Sequence, residues 1–236
     1  MSFLARGGYG YTYIVEDLFL KEKVVLKTLR FHKRLRKKEQ RRFQQEQDIL
    51  KKINHTSFPK FYDNGFIQGK IPYFTMEFKK GKTLEECLFD DLYRWSEKQT
   101  FYFGVKLVEL VAYLHSNNIA HRDLHIPNMM LVDQQPIIID FGLAIAATQD
   151  DLKSFQSDFA GIGQILLFLF YSTFEPANNK ERSWQEELPI SKEAKHIIKK
   201  LLAIEEPFKD CYQIKEAFLQ QIEIEEDKEC HFFKKH

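Results

Sequence analysis

The sequence predicts an α+β fold in two parts, a β-rich lobe of residues 1–78 followed by a mainly helical lobe of residues 79–236. The first observation is composition: 44% of the 236 residues are hydrophobic and 22 are Phe, enough apolar material for a large core. The second is that runs rich in β-branched and aromatic residues lie before residue 79, whereas helical periodicity prevails after it. We therefore expect a single domain with two lobes.

The β-rich lobe contains one predicted helix among its strands. Apolar Phe43, Leu50 and Ile53 recur at helical spacing, which predicts an amphipathic helix from Glu39 to Ile53. The run Lys79-Lys80-Gly81-Lys82 is typical of a hinge after the lobe. Strand-like sequence lies at 9–15, 23–29, 61–67 and 72–78.

The helical lobe begins with a capping signal. Ser96 is followed three residues later by Gln99, which predicts a capping box for a long helix ending near Ser116. Ser191 is a predicted N-cap further along. A strand pair is expected at 129–132 and 136–139, and later helices at 158–171, 191–203 and 211–224.

Charge and cysteine content limit the function classes. The 35 Lys and Arg residues balance 34 Asp and Glu, so the net charge of +1 provides no global field for nucleic acid or membrane, and neither partner is expected. The longest apolar run, 162–171, is about half of the ~20 residues that a bilayer span needs. Cys87, Cys211 and Cys230 form no C-x-x-C pair, so neither a disulfide framework nor a zinc site is indicated. We expect a cytoplasmic monomer.

Two features of the first lobe indicate chemistry. A Gly-rich turn precedes its first predicted strand, and backbone N–H groups of such a turn can approach phosphate oxygens, although most Gly-rich turns are only turns. Lys27 lies within an apolar strand, and Glu46 falls on the apolar face of the helix. Each would be costly to bury alone, so the two can pair. The alternative is two edge residues with solvated tips.

The densest polar cluster follows the hinge. It comprises His121-Arg122-Asp123-Leu124-His125-Ile126-Pro127-Asn128 and, after an apolar strand, Asp140-Phe141-Gly142. Asp and Asn side chains are hard oxygen ligands that suit magnesium better than zinc. Each alone could be a solvated turn residue, but the complete ordered set weakens that alternative.

In this order the segments resemble the signature set of the eukaryotic-type (Hanks-type) serine/threonine protein kinases. The motifs are the Gly-rich turn, the strand lysine of Val24-Val25-Leu26-Lys27, the helix glutamate, H-R-D-x-x-x-x-N and D-F-G. The resemblance covers nearly the whole chain and implies the bilobal protein-kinase fold. It also implies Mg-ATP as cofactor and a protein as substrate.

The resemblance implies a role for each matching residue. Lys27, held by Glu46, would contact the α- and β-phosphates of ATP, and Asp123 would accept the proton of the attacking hydroxyl. Asn128 and Asp140 would hold Mg²⁺. Nucleotide contacts would come from Leu4, Gly7, Gly8, Gly10, Thr12, Val25, Lys27, from Met76 behind the adenine, and from the backbone of Glu77 and Phe78.

The chain also departs from the family pattern. Ala5 replaces the first loop glycine with only four residues before it, so much of the first strand is expected to be absent. Thr12 and Val25 would narrow the adenine pocket. His125 replaces the lysine that usually reaches the γ-phosphate. Only 17 residues separate Asp140 from Asp158, without an A-P-E motif, although Asp158 would still bond to the backbone of the catalytic loop.

Three functions follow from this pattern. The first is an ATP-dependent protein kinase acting on Ser/Thr hydroxyls. The second is a small-molecule kinase of the aminoglycoside or choline type, which His125 and the short segment favour. The third is an ATP-binding pseudokinase scaffold, which the filled catalytic positions oppose. The basic stretch 30–42 holds eight Lys or Arg residues and is predicted to be a solvated face, with a patch for nucleic acid or an acidic partner as the less favoured alternative.

Overall fold

The computed structural model describes residues 2–6, 10–19, 21–148, 151–176 and 182–233, with residues 2–6 and 225–233 described by their backbone. The strands are β1 (Ser2–Arg6), β2 (Gly10–Asp17), β3 (Glu22–Leu29), β4 (Phe61–Ile67), β5 (Ile71–Glu77), β6 (Lys82–Thr83), β7 (Ile119–Ala120), β8 (Met129–Val132), β9 (Gln135–Ile138) and β10 (Ile145–Ala146). The helices are α1 (Lys37–Lys52), α2 (Leu84–Phe89), α3 (Glu97–Ser116), α4 (Leu152–Tyr171), α5 (Trp184–Glu187), α6 (Lys192–Leu201) and α7 (Cys211–Phe233).

The chain divides into two compact units. The first unit combines Met1–Gly81 with Ile138–Ala146, and the second combines Lys82–Ile137 with Ala147–His236. The first unit therefore includes the Asp140-Phe141-Gly142 triplet, far along the chain from the rest of its residues. The lobe boundary expected at 78/79 stays a prediction.

The first unit is built on an antiparallel sheet of five strands in the order β1-β2-β3-β5-β4. Leu29 and Phe74 are buried on the same face of the sheet as Lys27, and helix α1 packs its apolar stripe on this face. The rings of Phe43 and Phe74 lie 5.1 Å apart between their centroids. This packing fixes α1, and with it Glu46, beside the middle of the sheet.

Strand β1 corrects one expectation. Residues 2–6 form a full strand that pairs with β2, and Ala5 lies opposite Thr12 in that pairing rather than in the loop. The expectation that much of this strand is absent was wrong, because five residues of cross-strand hydrogen bonding suffice to extend the sheet by one edge. Gly7 and Gly8 lie outside the described residues.

The second unit is a helical assembly with a small sheet of β6, β8 and β9. Its core forms where α3 meets α4 and α7: the ring of Phe101 lies 5.7 Å from that of Phe170 and 5.5 Å from that of Phe218. Such interlocked aromatic contacts bury large apolar areas and define helix positions closely. In the described part of the chain, no helix combines the length and apolarity needed to cross a membrane.

Local capping signals decide several helix starts. The predicted capping box is confirmed, since the Gln99 N–H donates to Ser96 Oγ (3.2 Å) and the Ser96 N–H donates to Gln99 Oε1 (2.9 Å). Ser191 caps α6 as expected. Helix α4 begins at Leu152 rather than at the predicted residue 158, because the Asp151 carboxylate accepts from the Ser154 N–H and starts the helix one and a half turns earlier.

Candidate active site

Lys27 forms the centre of the polar site in the first unit. It lies on β3 opposite Thr12 of β2 and Phe74 of β5. Its Nζ donates to Glu46 Oε1 at 2.6 Å and to Asp140 Oδ1 at 3.0 Å. The Lys27 and Glu46 side chains are only 13% and 2% exposed, so the pair is buried and the alternative of solvated edge residues was wrong.

The electrostatics of this trio keep Lys27 charged. Burial by itself lowers the pKa of Lys27, but Asp140 and then Glu46 outweigh it and hold that pKa above its ordinary value. For Glu46, burial raises the pKa, while Lys27 and a backbone hydrogen bond from Phe141 oppose the shift. The site is therefore a fixed ammonium between two carboxylates with a net charge of −1, and the accessible Asp140 carboxylate suits a cation rather than a bare anion.

The D-F-G triplet is tied to the same unit. Phe141 is buried and packs edge-on against Phe58, with ring centroids 5.8 Å apart. The Gly142 N–H donates to Asp140 Oδ1 at 2.9 Å. The Asp140 side chain is nonetheless 42% exposed. Its carboxylate is thus oriented by two donors while remaining accessible to a ligand.

The predicted adenine residues occupy neighbouring positions of the sheet. Val25 lies directly opposite Met76 across β3 and β5, and both are buried. Gly10 begins β2, where a Cβ would approach Thr28 O to 2.6 Å, so the residue must be Gly. The Glu77 N–H donates to Lys60 O at 2.8 Å, so an adenine contact at Glu77 would use its carbonyl.

In the second unit a single buried carboxylate holds the catalytic loop. Asp158, which is fully buried, accepts from the N–H of His121 (2.9 Å) and the N–H of Arg122 (2.6 Å). This confirms the predicted bond between Asp158 and the loop backbone. The loop also requires a left-handed conformation at Arg122, with φ +65°, which two strong acceptor contacts can stabilise.

The loop side chains surround Asp123. Asn128 Nδ2 donates to the Asp123 carbonyl and to Asp123 Oδ2, both at 3.0 Å. His125 Nδ1 lies 2.9 Å from the same carbonyl and must be the donor, because a carbonyl oxygen can only accept. Asp123 is 38% exposed. It is therefore an oriented carboxylate that still reaches solvent, as a general base requires.

Comparison with known proteins agrees with this geometry. Residues 1–161 match the family described as the protein kinase domain. The chain belongs to the protein kinase family. Membership implies the use of ATP.

Three relatives illustrate the range of this kinase family. The probable serine/threonine-protein kinase YbdM of Bacillus subtilis is 37% identical over 224 residues, which cover 93% of this chain and 87% of that protein. The serine/threonine-protein kinase PrkC of Bacillus subtilis is 32% identical, covering 61% of this chain and 22% of PrkC. The serine/threonine-protein kinase plk-1 of Caenorhabditis elegans is 30% identical, covering 64% and 23%.

The kinase thus brings its predicted residues together in two groups. Lys27, Glu46 and Asp140 are in contact in the first unit, and Asp123 and Asn128 are in contact in the second. Leu4 lies on β1, described by its backbone, and Phe78 directly follows β5.

Two residues of the kinase were missed by sequence reasoning. His115 Nε2 donates to Asp158 Oδ2 at 2.9 Å, and Cys211 Sγ lies 3.7 Å from His115 Nδ1. Burial raises the pKa of the Cys211 thiol to about 12, so it stays protonated and donates to the ring. No sequence spacing could predict this series of contacts, because His115 is 43 residues from Asp158 and 96 residues from Cys211.

Proposed function

We propose that this protein is an ATP-dependent protein kinase that transfers the γ-phosphate of Mg-ATP to Ser/Thr hydroxyls of a protein. The observation that carries the proposal is the buried Lys27–Glu46 pair with Asp140 on its other side. A strand lysine held in this way can neutralise the α- and β-phosphates without moving, and phosphoryl transfer depends mainly on such positioning.

The residues expected at the metal fit Mg²⁺ chemically. Asp140 offers an oriented, accessible carboxylate. Asn128 has its amide nitrogen bound by Asp123, which leaves its amide oxygen as the ligand atom. Mg²⁺ is commonly held by one or two protein oxygen ligands together with substrate phosphates. When bound, it would neutralise charge on the β- and γ-phosphates.

Asp123 is the proposed base. The Asn128 amide and the loop backbone orient it, and its partial exposure lets it meet a substrate hydroxyl. The His121 and Arg122 backbone bonds to Asp158 fix the main chain directly before it. The protein backbone, rather than a neighbouring cationic side chain, would thus position the Asp123 base.

The relatives support a protein substrate over a small molecule. YbdM, which matches nearly the whole chain, is named as a serine/threonine-protein kinase. His125, the residue that favoured a small-molecule kinase, is accounted for locally by its donation to the Asp123 carbonyl. Occupied catalytic positions also weigh against a scaffold that does not turn over ATP.

The test uses purified protein, magnesium, γ-labelled ATP and a generic basic protein. We expect label on Ser or Thr of the substrate, and a loss of at least ~100-fold in transfer rate for Asp123→Asn and for Lys27→Met. Lys23→Met, on the exposed edge of the same strand, and Asp133→Asn, in an exposed turn, are the matched controls and should retain full rate.

Other outcomes would exclude the proposal. ATP consumption without labelled protein would indicate a small-molecule acceptor. ATP binding without turnover in the wild type would leave the scaffold function. Equal rates in Asp123→Asn and Asp133→Asn would remove Asp123 as the base.

A further inference from the structure

The segment between β3 and α1 presents apolar side chains to solvent. Phe31 is 80% exposed and Leu35 is 88% exposed, although both are large and hydrophobic. Exposed apolar residues are common singly, but two of them four residues apart within a strongly basic stretch are not. We call residues 30–42, which comprise this segment and the start of α1, the basic loop surface.

The basic loop surface has a defined backbone. A 3-10 turn at Phe31–Lys33 is closed by Lys33 N–H to Arg30 O (2.9 Å), and Arg36 N–H donates to Lys33 O (3.1 Å). Arg34 Nε donates to Leu29 O at 3.1 Å, and its guanidinium lies over the Phe31 ring. The two apolar side chains therefore project from a fixed scaffold.

The charges around these side chains are almost all positive. Residues 30–42 include eight Lys or Arg and one acidic residue, Glu39, which is buried and pairs with Lys33 at 3.3 Å. Within the described part of the chain, no carboxylate pairs with the cationic groups of Arg36, Lys37, Lys38 or Arg41, all of which are exposed. This local excess persists although the whole chain has a net charge of only +1.

A second apolar group lies at the same end of the sheet. Thr28 pairs with Tyr73 near the end of β3, so the β4–β5 turn and the basic loop surface both lie beyond this end. At the end of β4, directly before that turn, Phe66 is 66% exposed and Ile67 is 37% exposed. The apolar and cationic groups thus share one end of the first unit.

We propose that the basic loop surface docks the kinase on anionic lipid membranes as a peripheral contact. Lys and Arg clusters bind the negative surface of PS- or PI-containing bilayers, and apolar side chains beside them enter the headgroup and acyl boundary. Leu35 favours a lipid surface over nucleic acid, since an aliphatic side chain offers no stacking face to a base. Peripheral binding of this kind needs no membrane-spanning helix, so it is compatible with the lack of such a helix among the described residues.

The expectation of no membrane partner rested on the net charge of the whole chain and on the lack of an apolar run long enough to span a bilayer. A net charge averages over the chain, whereas binding at a surface depends on charges within about 10 Å, the Debye length at 0.1 M salt. The local cluster of cations and the exposed Phe31 and Leu35 therefore matter more for membrane binding than the net charge of the whole chain. Nucleic-acid binding remains an outcome of the test.

The test is co-sedimentation of the full chain with vesicles of phosphatidylcholine alone and with 30% phosphatidylserine. We expect binding only to the anionic vesicles, weakening as NaCl rises from 50 to 500 mM. Replacing Arg36, Lys37, Lys38 and Arg41 by Gln should weaken binding several hundredfold, about fivefold per cation. Phe31→Ser with Leu35→Ser should weaken it at least about tenfold.

A fluorescent variant and a matched control sharpen the result. Phe31→Trp should keep vesicle binding, and its emission should shift to the blue as the indole enters the interface. Ile204→Ser removes an exposed apolar side chain of the second unit and should leave binding unchanged. All these variants should retain the wild-type rate of ATP turnover, so failure here is distinguishable from failure of the kinase function.

Three results would overturn the proposal. One is equal binding to neutral and anionic vesicles, or none to either. Another is a Phe31→Trp emission that does not respond to anionic vesicles. The third is tighter binding to a single-stranded RNA 20-mer that survives Leu35→Ser, which would assign the surface to nucleic acid.

Discussion

The two units hold their functional residues by different physical means. In the first, three charged side chains hold one another: Lys27 bridges Glu46 and Asp140. In the second, one buried carboxylate holds the main chain, since Asp158 accepts from the N–H groups of His121 and Arg122. Side-chain charges can adjust by taking up a proton, whereas a buried N–H that loses its acceptor cannot.

The largest expected effect tests the second unit. Asp158→Ala leaves the buried His121 N–H, the partly buried Arg122 N–H and the His115 ring without their acceptor, so the free energy of unfolding should fall by about 3–5 kcal/mol. Urea titration measures this. Asp151→Ala, which removes only the N-cap of the same helix, should cost about 1 kcal/mol. Equal losses for the two variants would contradict backbone anchoring, and Asp158→Asn should be intermediate if the Ala variant does not fold.

The next effect tests the first unit through pH. Lys27→Met leaves Glu46 buried without a cation, so at pH 8 the variant should be less stable than the wild type by about 3 kcal/mol. Burial already raises the pKa of Glu46 above the ordinary 4.5. A carboxyl with a raised folded-state pKa takes up a proton on folding, so stability is lost as pH rises from the ordinary pKa through the raised folded-state pKa, and it is regained as pH falls.

The measurement is urea unfolding at pH 8 and at pH 5.5. The difference between wild type and Lys27→Met should shrink at the lower pH. The double variant Lys27→Met, Glu46→Gln has no carboxyl to titrate at this position and should show a much flatter pH response. If the two proteins differed by the same free energy of unfolding at both pH values, Glu46 would not be taking up a proton in the absence of Lys27.

A smaller effect separates loop geometry from helix packing. A Cβ on Gly161 would lie 2.7 Å from Leu124 Cβ and 2.9 Å from Leu124 O, so Gly161→Ala must push α4 away from the catalytic loop. We expect a stability loss of about 1–3 kcal/mol and a lower rate of transfer. Gly163→Ala on the same helix meets Leu201 and Leu202 instead, and should cost stability while retaining the rate per folded molecule.

The smallest effect is purely local. Ser96→Ala removes one half of the capping box of α3 and should lower the free energy of unfolding by about 1 kcal/mol without changing ATP turnover. Thermal unfolding and the labelled-ATP assay measure the two quantities. A change in turnover would mean that the start of α3 influences the loop, which the contacts do not indicate.

Much of the fold could be read before the structure. Strands β2 to β5 and helices α3 and α6 lie within a few residues of their predicted bounds, because short-range hydrophobic periodicity and capping define them. The short elements α2, α5, β6, β7 and β10 were not predicted, and the starts of β1 and α4 were missed. Strand β1 depends on pairing with β2, and the first turns of α4 carry exposed Leu152 and Lys153 rather than an apolar stripe.

The candidate site divides in the same way. Lys27 and Glu46 were predicted as partners because each has a burial problem that the other solves. The second acceptor of Lys27, Asp140, was not predicted as its partner, since it lies 113 residues away in the sequence. Exposure of Phe31 and Leu35 was also beyond the sequence, because a basic stretch has the same composition whether its apolar residues face the core or the solvent.

The sequence by itself determined the protein kinase motifs, their order and the helix caps. These depend on residue type and on hydrogen bonds that span three or four residues, which the order of residues fixes directly. Only the tertiary structure decided that Asp140 shares Lys27 with Glu46, and that Asp158, His115 and Cys211 form one chain of contacts. Such contacts depend on how distant segments pack, and hydrophobic periodicity does not indicate which buried groups come into contact.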